Sequence, residues 1–252
     1  MNNDIMSECC TISITGRPRP APRTRVINPT AFDICYLCGN ALTNHTTRDH
    51  VPPKQFFPKI FRQANTTNDL EWLPTHRDCN HSYHQDEDYF VTTFGLPAAA
   101  TTISGHALGH DIRARYLQGQ QRPLVERVIN ECEPNSNIKS FDSGRTNRIA
   151  WKIVRGLHCL RTGQILPRQP HLRGGFTCDQ TPVITQQLTA HLHAAGFKDE
   201  WEGSLPMIFK TLTLIDESSE NTSYMYLLVC WEYLTYFFGF HTKDGQFLQA
   251  TA

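Results

Sequence analysis

Two short pairs constrain this chain more than any other feature: Cys35-x-x-Cys38 and His76-x-x-Cys79. Each spacing lets two soft donors reach one ion from a single tight turn, and Gly39 follows the first pair as such a turn requires. Zinc takes four nitrogen or sulfur ligands in a tetrahedron, and mixed Cys/His sets are normal for it. A shared ion would pin two distant segments at one point and force whatever lies between them to fold around it. Four protein ligands leave no open position, so the expected Zn2+ is structural. The competing view makes Cys35 and Cys38 core residues and His76 a surface one.

The enclosed segment carries the dipeptide Asp49-His50, and Asn80 directly follows the last ligand. Phosphodiester hydrolysis needs a base for water, positive charge for the non-bridging oxygens and stabilisation of the leaving oxygen. An imidazole with a pKa near ~6.5 takes a proton at neutral pH. Carboxylate and amide oxygens hold a hard divalent cation that supplies the charge. On a strand, Asp49 and His50 would point to opposite faces, so the pair works best at a strand end or bulge. Val51-Pro52-Pro53 forces the chain out of regular pairing directly afterwards. A helix starting at Cys79 and continuing to Phe90 would carry Asn80 on its first turn and His84 one turn later on the same face.

The segments CYLCG at 35–39, RDHVPPK at 48–54 and LPTHRDCNHSYHQDEDYF at 73–90 resemble the HNH endonuclease family, with its ββα-metal fold. The likeness covers about Cys35 to Phe90. It implies that His50 activates water and that Asp49 and Asn80 hold one catalytic Mg2+ or Mn2+. His84 is a further candidate to touch that ion or a phosphate. The zinc-bearing branch carries two Cys-x-x-Cys pairs, which correspond here to Cys35, Cys38, His76 and Cys79, with His76 in place of a cysteine. The family's middle asparagine has two candidates, Asn68 and Asp69. DNA is the implied substrate, RNA offers the same linkage, and a homo-oligomer is compatible with the reading. The alternative is a non-catalytic zinc module that binds nucleic acid or protein. Such a module has no need of an acid–base dipeptide and an amide at these places. A third reading is a defence or toxin nuclease whose C-terminal half senses a partner.

At 252 residues the chain can bury a sizeable core. Lys+Arg and Asp+Glu are each 24, so any phosphate-binding surface must come from local clustering. Nine cysteines, an odd number, argue against a fully paired disulfide framework and suit a reducing cytoplasm. The start shows no apolar region of a secretory signal. The expected class is α+β: a basic, proline-rich leader over 1–30, the nuclease domain over 31–95, and an accessory α+β region over 96–252 with a strand-rich end.

Within the leader, Cys10–Thr15 could form a strand. Arg17–Arg25 reads as a solvated tail or an arm along a phosphate backbone. Leu96–Gly109, rich in Ala, Thr and Gly, reads as a linker or loop. Helices are expected over Asp111–Cys132, interrupted near Pro123, over Thr146–Arg161, and over Thr185–Ala195, stopped by Gly196. On the second, Arg145, Arg148, Lys152 and Arg155 form a stripe that contacts phosphates or is simply the wet side. Asp86-Glu87-Asp88 reads as a solvated helix face or a second ion site. Met207–Ile215 and Tyr224–Phe240 read as buried β-hairpin structure. Their Tyr, Phe and Val favour strands, and the second run falls short of the ~20 apolar residues a membrane span needs.

Overall fold

The chain has a mixed helix-and-sheet, α+β, architecture. A computed structural model describes residues 19–20, 32–43, 45–63, 70–131, 141–168, 173–178, 181–194, 201–216, 222–243 and 246–248. The first part holds β1 (Arg19–Pro20), β2 (Thr46–His50), α1 (Lys59–Gln63), β3 (Trp72–His76) and α2 (Arg77–His81). Helices α3 (His84–Thr101), α4 (Ile103–Leu117), α5 (Arg122–Asn130) and α6 (Ser143–Thr162) follow. The last part comprises β4 (Arg173–Cys178), α7 (Thr181–Ala194), β5 (Glu202–Leu205), β6 (Phe209–Asp216), β7 (Thr222–Cys230), β8 (Leu234–Lys243) and β9 (Gln246–Leu248). The strand expected over Cys10–Thr15, the stop at Gly196 and most of the Arg17–Arg25 arm lie outside the described residues.

Strands β2 and β3 pair antiparallel, with Thr46 opposite His76 and His50 opposite Trp72. The larger sheet is antiparallel throughout, in the order β1-β6-β7-β8-β4, with β5 also on β6 and β9 also on β8. The apolar run Tyr224–Phe240 is thus two neighbouring strands joined by the Trp231–Tyr233 turn. Trp231 ties that turn to the motif region by donating its indole N–H to the Phe56 carbonyl at 2.9 Å. Among the described residues no helix is long and apolar enough to cross a membrane.

The stretch Leu96–Gly109 is helical rather than a linker. Pro97 sits inside α3, and α4 begins at Ile103. Small residues here let two helices cross closely: a Cβ on Gly105 would lie 2.3 Å from the Ala98 carbonyl. Helix α6 is bounded by its own chemistry. The Asp142 carboxylate accepts from the Arg145 backbone N–H at 3.2 Å, and Gly163, with φ of 74°, closes the C-terminus in the left-handed region.

One hydrophobic cluster joins the motif region to the rest of the chain. It takes Tyr36, Phe56 and Phe90, the α6 residues Ile149, Ile153 and Leu157, and Tyr226 and Tyr236 of the sheet. The boundary expected near Gly95 falls within α3, and residues on both sides of it share this core. Helix α6 occupies the centre, so its side chains reach both the motif region and the sheet.

Candidate metal centre and active site

The two x-x-spaced pairs meet. The ligand atoms of Cys35, Cys38, His76 and Cys79 all lie within 4.8 Å of one another, a set that can hold a metal ion such as zinc. His76 ends β3, and Cys79 lies in α2 just beyond it. The loop carrying Cys35 and Cys38 turns at Gly39, whose φ of 77° favours glycine, and the Gly39 N–H donates to the Cys35 carbonyl at 2.7 Å. The His76 ring is already oriented for coordination. Its Nε2 lies 3.0 Å from the Ala41 carbonyl, which can only accept, so Nε2 carries the proton and Nδ1 presents its lone pair. Nδ1 faces Cys38 Sγ at 3.3 Å and Cys79 Sγ at 4.0 Å.

Two thiols of this cluster are pushed in opposite directions. Burial raises the Cys38 thiol, but hydrogen bonds from the Asn40 backbone and the His76 ring outweigh it and bring it to about 7. Burial and the neighbouring sulfurs push Cys79 up to about 12. Adjacent thiolates cannot all ionise without a positive charge between them, and a zinc ion held there would supply one.

Asp49 and His50 sit at the end of β2, directly before the Val51–Pro52 cis bond. The pleat sends them to opposite faces. His50 is half-buried, and no described residue hydrogen-bonds its ring. Burial, then Lys54, holds its pKa below the usual imidazole value, so it is neutral at pH 7.

Asp49 turns inward and is 3 % exposed. Its Oδ2 accepts from the Tyr36 hydroxyl at 2.8 Å, and its Oδ1 accepts from Lys152 Nζ at 2.9 Å. Lys152, 1 % exposed on α6, donates also to Glu87 Oε1 of α3. Glu87 Oε2 in turn accepts from Gln55 Nε2 at 2.9 Å. Burial works against the Lys152 ammonium, yet Asp49 and then Glu87 overcome it and hold its pKa above the ordinary lysine value. Burial raises the Glu87 carboxyl against the pull of Lys152.

The expected helix from Cys79 to Phe90 is broken. Helix α2 ends at His81, Ser82 turns its hydroxyl back to the Cys79 carbonyl at 2.7 Å, and α3 starts at His84. Asn80 is half-buried in α2, and its amide has no hydrogen-bond partner among the described residues. His84 is exposed, stacked on His81, with Nε2 3.9 Å from the Asp88 carboxylate. The Cys35–Cys79 set is the only group of three or more His, Cys, Asp or Glu side chains among the described residues able to share an ion, so neither Asp49 nor His84 belongs to such a group. Asn68 and Asp69 lie outside the described residues.

The basic stripe of α6 is largely engaged within the chain, and only Arg148 of the four is exposed. Arg145 and Arg148 pair with Asp86 and cover the rings of Tyr89 and Tyr83. Arg155, 2 % exposed, donates to the carbonyls of Leu166, Tyr36 and Leu37. The acidic run is likewise engaged: Asp86 with the two arginines, Glu87 with Lys152, Asp88 near Arg115 at 3.8 Å. The sequence marked Glu87 in an acidic run and Lys152 on a basic stripe without joining them to Asp49, and it missed Tyr36 and Gln55 altogether. For Glu87 and Lys152 the signal was two complementary charge runs, one on each of two helices.

No protein-family model matches the chain, and no curated protein or solved structure matches it either.

Proposed function

We propose that the chain is an HNH-type endonuclease that hydrolyses phosphodiester bonds of DNA, with a ββα-metal unit formed by β2, β3 and α2 and a structural zinc on Cys35, Cys38, His76 and Cys79. The observation that carries this reading is His50, half-buried at one end of the β2–β3 ribbon, unbonded and neutral at pH 7, with the candidate metal-ligand set at the ribbon's other end, where Thr46 pairs with His76. In this role His50 takes a proton from water, the hydroxide attacks phosphorus, and the bond to the leaving oxygen breaks. The unpartnered Asn80 amide is positioned by Cys79 next to it in sequence and can bind a phosphate oxygen.

The resemblance also implies Mg2+ or Mn2+ on Asp49. As placed, Asp49 does not fit such an ion, because both of its oxygens are engaged and an ammonium already sits against one of them. The same seal favours a second reading, a non-catalytic zinc-binding module for nucleic acid or protein.

Supercoiled plasmid separates the two readings. Purified chain should nick or linearise it, tested with and without Mg2+ or Mn2+. His50→Ala should lower the rate by ~10²–10⁴ while keeping zinc and fold. Equal cleavage by wild type and variant would remove His50 from the mechanism. No cleavage by wild type under any condition would leave the binding module.

A further inference from the structure

Among the described residues of the motif region, the aspartate that should be open to a divalent ion is the most buried carboxylate, and the group that seals it is itself a cation. All four oxygens of Asp49 and Glu87 have donors: Tyr36 and Lys152 on the first, Lys152 and Gln55 on the second. The ammonium is shared, so one positive charge faces two negative ones inside a region nearly closed to water. A buried carboxylate pair left without a counter-charge would be strongly destabilising, which is why the three groups stand together. Lys152 reaches this point from α6, far downstream of the motif, where the sequence places it on a basic stripe.

We propose that Lys152 is the resident cation of this site: its ammonium stands against Asp49 in place of a divalent ion and fixes the end of β2 that carries His50. This deepens the nuclease reading of the same site and rests on it for the consequence in the reaction. Mg2+ needs carboxylate oxygens at ~2.0–2.1 Å, and to reach Asp49 it would have to displace the ammonium or approach it as a like charge. Lys152 is a positioning residue, since its near-complete burial keeps it from substrate. It acts through Asp49 on the strand end, where the next residue is the proposed base. Gly156, one turn further along α6, has Val51 packed so closely that a Cβ there would lie 2.6 Å from Val51 Cγ2. The same helix face thus holds the chain on both sides of His50.

The test is Mn2+ binding, read by electron paramagnetic resonance on the full-length, zinc-loaded chain. Wild type should take up no Mn2+ that depends on Asp49. Lys152→Met, which keeps the length and removes the charge, should take up one Mn2+ per chain, and Lys152→Met/Asp49→Asn should lose it. Lys152→Arg, which keeps a cation, should behave as wild type. Thermal unfolding gives an independent readout where Lys152→Met is poorly folded. Mn2+ about 100-fold above its Kd should raise the midpoint of Lys152→Met by about 5–10 °C and leave wild type unmoved. One Asp49-dependent Mn2+ in wild type would overturn the proposal, and so would a Lys152→Met chain that neither binds Mn2+ nor is stabilised by it. These outcomes are independent of plasmid cleavage. Loss of all cleavage would sink the nuclease reading alone, and Asp49-bound Mn2+ in wild type would sink the resident cation alone.

Discussion

Arg148 and Arg155 lie on one stripe of α6, and their surroundings make them opposite cases. The Arg148 side chain is 42 % exposed, and its ion pair with Asp86 competes with water and salt. Exposed pairs of this kind contribute ~0–1 kcal/mol. Arg155 is enclosed, and its guanidinium satisfies backbone carbonyls of both the zinc-ligand loop and the segment after α6. A buried carbonyl left without a donor costs about 1–3 kcal/mol. Urea unfolding of the zinc-loaded chain should therefore find Arg148→Gln within about 1 kcal/mol of wild type and Arg155→Met destabilised by about 3 kcal/mol or more. Similar losses for both would mean that the carbonyls find other donors. Helical spacing was enough to place these residues on one face of α6. It could not show what covers that face, because Asp86, Glu87, Asp49 and the Tyr36 carbonyl reach it only through tertiary packing.

At the scale of elements, the strand–strand–helix unit is too small to hold itself together. A two-stranded ribbon is marginal in water, and the five residues of α2 are far below the length of a stable isolated helix. An ion on Cys35, Cys38, His76 and Cys79 would tie the β3–α2 junction to the preceding loop and supply what the short elements lack. Chelation of the metal should strip hydrogen-exchange protection from Thr46–His50 and Trp72–His76, while Phe209–Asp216 and Thr222–Cys230 in the large sheet keep theirs. Cys79→Ser should give the same pattern. Unchanged protection in β2 and β3 would reduce the four residues to packing. The ligand pairs were legible because x-x spacing is a local geometric fact, and the strand end at His50 because two prolines follow it. Leu96–Gly109 misled because Ala, Gly and Thr serve a linker and a close helix crossing equally well. The contacts of Gly105 with Ala98 and of Gly109 with Ala99 decide between them. The helix through Cys79 misled because Ser82 offers its hydroxyl to a carbonyl that a continuous helix would use.

For the whole molecule, the decisive group is a histidine that belongs to no site. His158 lies on α6 where the helical layer meets the large sheet, with Tyr224, Tyr226 and Phe240 around its ring and Tyr226 Oη 2.9 Å from its Nδ1. It is fully enclosed, and burial holds its pKa down at about 4. The unfolded chain, with an ordinary value near ~6.5, binds this proton first as the pH falls. Its stabilising effect is therefore complete above about pH 6.5 and is lost progressively toward pH 4. The full effect is about 3 kcal/mol, of which about 2 kcal/mol is gone by pH 5. That is a large part of the ~5–15 kcal/mol that a folded domain has in total. Protonation of zinc ligands and of His50 acts in the same direction, so the comparison must be with a variant that keeps both. At saturating zinc, wild type should lose about 2 kcal/mol more than His158→Gln between pH 7 and pH 5, measured by urea unfolding. Parallel pH profiles for the two would show that the proton finds room in the core, and that the joint between helices and sheet is looser than its packing implies.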